Sequence, residues 1–185
     1  MKNNSEHNKL SFSLITIPII FYLIFSVYQI NIEDLWFDEM ATFWVTNPFV
    51  DNSTTYQNIL LSENTPPIYY YVVKYFFNLF GYNPYILRVP NIFFFLISIY
   101  IFYLIIIKFS IDRKFILFSL LLFSLNHFLI SYSHEGRVYI LYLLTSLFLI
   151  NSYLNLIDRN NKVRHQFPTK NEYNKIINDK IGYNK

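Results

Sequence analysis

Four stretches of this chain run without a single Asp, Glu, Lys or Arg: residues 12–30, 89–107, 115–131 and 138–157. The 19 residues of the first make about 28 Å of helix at roughly 1.5 Å per residue, close to the thickness of a bilayer's hydrocarbon layer. The runs are apolar on every side, whereas core helices of a water-soluble protein keep a polar outer face. They predict an all-α polytopic membrane protein with about four transmembrane helices, the third interrupted by Asn126 and His127. Lys2 and Lys9 precede the first run as in a signal peptide. The run is longer than a signal peptide's apolar core, however, and no small-x-small cleavage site follows it, so a retained anchor is expected.

Three glycines, Gly81, Gly136 and Gly182, are too few and too scattered for a GxGxxG turn or a P-loop. The absence of cysteine excludes disulfides, thiol catalysis, iron–sulfur clusters and Cys-based zinc sites. Four scattered histidines with no HExxH spacing give no reason to expect a metal site. Basic residues of the tail are interspersed with Asp and Glu, which argues against nucleic-acid binding. No span has the paired acids or Gly/Pro-broken midpoint of a small transporter.

Charge sets the expected orientation. The N-terminus, residues 108–114 and the tail after Ile157 together hold 12 Lys and Arg against 5 acids, while residues 31–88 hold 6 acids and only Lys74 and Arg88. Basic residues mark the cytoplasmic side. A multi-pass membrane domain, residues 1–157, is therefore expected to keep both termini in the cytoplasm and its long loop, residues 31–88, outside. Residues 158–185 read as a polar cytoplasmic tail, disordered or truncated.

The outer loop has its own pattern. Asp34 can cap a helix over residues 35–45 whose Leu35, Trp36, Phe43 and Trp44 suit a membrane surface. Asn47-Pro48 ends it, and a short helical piece is expected at residues 56–61. Pro66-Pro67 then opens a helix over residues 68–80 and Gly81 closes it. Thirteen residues are too few to cross a bilayer upright, so the loop is expected to carry two interfacial, juxtamembrane helices. Asn83-Pro84 starts the helix that carries Arg88 into the second span.

Three polar groups stand out. Asp38 and Glu39 point about 100° apart on a helix, either as a tuned base with an electrostatic partner or as two solvated surface acids. Arg88 and Lys74 are cations on the side where positive charge is depleted. They can hold a phosphate, or Arg88 can snorkel to headgroups. In the turn Ser133-His134-Glu135-Gly136-Arg137, His134 can move protons and Arg137 can bind an anion, or Glu135 and Arg137 can pair to cap the fourth helix.

Taken in order, LWFDEMATFWVT (35–46), TPPIYYYVVKYFFNLFGYNPYILRVPNIFF (65–94) and ISYSHEGRVYILYLL (130–144) resemble the amino-terminal part of the C-type membrane glycosyltransferases. More narrowly, they are similar to bacterial and archaeal relatives of the protein O-mannosyltransferases and aminoarabinose transferases. The resemblance covers about residues 12–157. It implies an inverting enzyme that moves a sugar from a polyprenyl-phosphate carrier in the membrane lipid to a protein or glycan acceptor at the outer face.

By the resemblance, Asp38 is the catalytic base and Glu39 orients the acceptor or stabilises charge. Pro66, Pro67 and Arg88 then lie near the lipid phosphate, and Arg137 shapes the donor site within residues 135–139. The lipid-linked sugar is the only implied cofactor, and a divalent metal is left open. Thr65 stands where many relatives have His or Lys, so a phosphate contact is missing or moved to Lys74. Gly136 stands where Ala is common, which is expected to loosen the helix start by about 1 kcal/mol. Full members carry many more spans. The short chain therefore suggests a truncated product, half of a split enzyme whose second chain supplies the other spans, or a silent remnant. The alternative of another class is a four-helix accessory or lipid-binding module that catalyses nothing.

Overall fold

The computed structural model describes residues 15–26, 28–29, 35–63, 65–109 and 112–166, with side chains as far as residue 159. All regular structure among them is helical: α1 (Ile15–Ser26), α2 (Phe37–Val45), α3 (Asn52–Ser62), α4 (Ile68–Phe80), α5 (Pro84–Phe109), α6 (Arg113–Ser124), α7 (His127–His134) and α8 (Tyr139–Gln166). Two helices are long and apolar enough to cross a membrane, α5 and the Tyr139–Arg159 part of α8. The pair α6 and α7, bent by 48°, makes a third if it is counted as one span. The break lies where the sequence places its polar interruption. Leu125 ends α6, and the Asn126 side chain accepts a hydrogen bond from the Leu129 N–H at 3.2 Å and so starts α7.

Of the first apolar run, α1 and residues 28–29 are the described parts. The ends of that run, Asp34 and the tail beyond Gln166 lie outside the described residues. α8 continues past the expected boundary at Ile157 to Gln166, so the tail begins as helix. The chain divides into two units, Met1–Phe148 and Leu149–Lys185, and the second contains the later part of α8.

Within the first unit the apolar residues form two clusters. One joins the long helices: Tyr22 of α1, Phe95, Ile99 and Ile106 of α5, Leu120 of α6, Ile130 of α7 and Ile140 of α8. The other joins the loop helices: Val45, Ile59, Tyr69, Val73 and Phe77 pack with Leu87 at the start of α5 and Val138 just before α8. Tyr82 ties the second cluster down. Its ring stacks on Phe43 at 4.1 Å and its hydroxyl donates to the Phe43 carbonyl at 3.0 Å.

α4 occupies the residues its entry and exit signals predict. Gly81, at φ +96°, supplies the left-handed backbone conformation that ends the helix, and its N–H returns to the Phe77 carbonyl at 2.9 Å. α3 is longer than expected because Asp51 caps it, accepting from the N–H groups of Ser53 and Thr54 at 3.0 Å. The Ser53 and Thr54 hydroxyls also bond this carboxylate and hold it well below the usual range.

α2 is turned inside out relative to a helix in water. Glu39 and Thr42 are buried, while Trp36 just before the helix, Phe37, Met40 and Trp44 are 49 to 82% exposed. A helix with polar groups inward and aromatic groups outward matches a lipid boundary.

Candidate functional site

Adjacent residues on a helix face different ways, and α2 separates its two acids: Glu39 is fully buried and Asp38 is exposed. A buried carboxylate is tolerated only when paired and hydrogen-bonded. Arg88 pairs with Glu39 bidentately, Nε donating to Oε1 at 3.0 Å and Nη2 to Oε2 at 2.8 Å. The Gly136 N–H donates to Oε1 at 2.6 Å, and the Trp36 N–H donates to Oε2 at 3.1 Å, closing the first turn of α2. Each oxygen accepts two bonds, so the carboxylate has no lone pair left for a substrate. Glu39 thereby clasps α2, the head of α5 and the turn before α8.

Gly136 is explained by the same convergence. A Cβ there would stand 2.3 Å from Leu87 Cγ, so any larger residue would force the Leu87 side chain to move. The expectation that glycine loosens a helix start is corrected, since α8 begins at Tyr139. Asn91, one turn along α5 from Arg88, holds the same turn. Its Nδ2 donates to the carbonyls of Glu135 and Arg137, the latter at 2.7 Å.

Arg137 is held by three acceptors on one nitrogen. Nη1 donates to the Asp38 carbonyl at 3.1 Å, to Thr42 Oγ1 at 3.2 Å and to Glu63 Oε1 at 2.7 Å. Burial opposes its charge, but the hydrogen bond and negative charge of Glu63 outweigh burial and hold the guanidinium above its ordinary pKa. Nearby, the Tyr70 hydroxyl meets Thr65 Oγ1 at 2.6 Å. Burial of Tyr70, reinforced by the charge of Glu63, outweighs that bond and pushes the phenol up to about 12.

These elements frame a recess of about 330 Å³ lined by Trp36, Phe37, Asp38, Glu39, Glu135 and Arg137. Among the described residues no hydrogen bond engages the Asp38 carboxylate, so an exposed acid and a guanidinium share one concave surface. The volume lies at the lower end of the roughly 300–1,000 Å³ of small-molecule sites.

The remaining residues singled out in the sequence are placed differently. Arg88, 2% exposed, lies within the protein beside Glu39 and does not snorkel. The Lys74 ammonium is buried and bonded to the Val50 carbonyl at 2.6 Å and Thr55 Oγ1 at 2.8 Å, so it pins the start of α3 to α4. Burial pushes its pKa below the ordinary value. Pro66 and Pro67 stand at the entry of α4, the latter as its cap, and neither lines the recess. His134 is buried, with Nδ1 at 2.6 Å from the Ile130 carbonyl.

Sequence reasoning passed over Glu63, Asn91 and the inward role of Thr42. Asn91 had a signal, an amide inside an apolar span on the same face as Arg88. Glu63 had none, because its partner lies 74 residues away. Among the described residues no three His, Asp or Glu side chains come together as a metal site would require. No protein-family model matches the sequence, and no curated protein and no solved structure matches it.

Proposed function

We propose that this chain carries the transfer site of a membrane glycosyltransferase, which moves a sugar from a polyprenyl-phosphate carrier to an acceptor hydroxyl at the outer membrane face. The supporting observation is that Asp38, with an unengaged carboxylate, and Arg137 line one recess, while Glu39, which also lines it, is neutralised by Arg88. The order of sequence motifs points the same way.

In this reading the acceptor oxygen attacks the anomeric carbon, and Asp38 takes its proton as the new bond forms. The bond to the lipid phosphate breaks on the opposite face of the sugar. Arg137 stabilises the negative charge that accumulates there, more in the transition state than in the ground state. Arg88, sequestered by Glu39, supports the site and leaves the phosphate to Arg137. A polyprenyl tail costs about 0.8 kcal/mol per methylene to withdraw from lipid, so the reaction belongs at the membrane boundary, where the aromatic face of α2 would seat the recess.

The test is sugar transfer in membranes supplied with a polyprenyl-phosphate sugar. Asp38→Asn is expected to lower transfer by at least a hundredfold while the chain still inserts. Equal transfer by variant and parent would remove Asp38 as base, whereas absence of transfer by the parent itself would leave the accessory, lipid-binding module as the better reading.

A further inference from the structure

Glu63 is a buried carboxylate, its side chain 5% exposed, on the residue that caps the C-terminal end of α3, with its N–H returned to the Ile59 carbonyl at 2.9 Å. The segment it ends is anchored at both sides. Lys74 holds Val50 and Thr55 at its start, and the Thr65 to Tyr70 bond fastens the chain just beyond its end. A fixed carboxylate therefore meets Arg137, and it meets the same Nη1 that Thr42 and the Asp38 carbonyl bind.

A long, flexible arginine side chain loses rotamer entropy on binding unless the protein has already ordered it. Convergence of three acceptors on one terminal nitrogen orders the guanidinium before any ligand arrives and leaves its other terminal nitrogen out of those bonds. We infer that Glu63 is a positioning residue, holding Arg137 by Nη1 so that Nη2 is left to meet the oxygens of a phosphate in the recess, Nε being buried. This rests on the proposed function, which makes phosphate the anion at Arg137.

Simple electrostatics and positioning predict opposite signs. A carboxylate beside a phosphate site repels the ligand, so if charge alone mattered, removing it would tighten binding. The experiment measures binding of undecaprenyl phosphate to the full chain in lipid nanodiscs for the parent, Glu63→Ala, Glu63→Gln, Thr42→Ala and Arg137→Ala. Positioning predicts a loss of about tenfold for Glu63→Ala, as expected for one side chain left to be immobilised. Glu63→Gln, which keeps an acceptor oxygen for Nη1, should stay within about threefold of the parent.

Thr42→Ala removes an acceptor without touching charge and should weaken binding in the same direction. It keeps the test open should Glu63→Ala fail to fold. Parent-like or tighter binding by Glu63→Ala, or by Thr42→Ala if that variant alone folds, overturns the positioning role and leaves the phosphate site intact. Failure of the parent itself to bind overturns the phosphate reading, and the role of Glu63 with it.

Discussion

Taking away one member of a buried ion pair leaves the other charged and unsatisfied, at a cost of about 3–5 kcal/mol. Glu39→Ala is expected to destabilise the chain by that amount, because it removes the carboxylate that Arg88 pairs with bidentately and also orphans the N–H groups of Gly136 and Trp36. The drop would be read from thermal unfolding in detergent micelles. Replacing both members, Glu39→Met with Arg88→Met, should recover part of the loss, whereas strictly additive single effects would show that the two do not act as a pair. That Asp38 and Glu39 take different surroundings is legible in the sequence, because 100° per residue forbids adjacent residues a common face. Which of them turns inward is not, since it depends on an arginine 49 residues further on.

At the scale of elements, local signals succeed where the cause is local. α4 starts after two prolines and stops at a glycine that takes the left-handed conformation, and the bent α6–α7 pair breaks at Asn126, whose side chain serves the helix that follows. The capping of α3 by Asp51 was equally local, and its short-range pattern of Asp, Ser and Thr was available to be read. The passage of the 135–137 turn across α5 had no such signature. Gly136→Ala would press a methyl into Leu87, and a cost of about 1–3 kcal/mol is expected from overpacking. Unfolding of the variant in micelles measures it. Adding Leu87→Ala should shrink the penalty of the glycine change, and an undiminished penalty would place its origin in the backbone.

For the whole molecule, the proposed orientation has a direct test, because the chain contains no cysteine and any introduced one is a unique label. With the loop helices outside, Ser53→Cys on α3 should react with a membrane-impermeant maleimide in intact cells. Lys114→Cys on α6 should react only after permeabilisation. The reverse pattern would put the recess in the cytoplasm and remove it from any outer-face acceptor. The sequence by itself determined the helical, membrane-seeking character of the chain and most helix ends. These follow from the length of apolar runs, from capping residues and from Pro and Gly, all of which act over a few residues or sum along a segment. Tertiary structure alone decided which polar groups meet: Glu39 with Arg88 and the Gly136 N–H, and Arg137 with Glu63, over separations of 49, 97 and 74 residues. Burial makes a charge intolerable without a partner, and only the packing of α2, α3, α5 and the turn before α8 brings those partners within bonding distance.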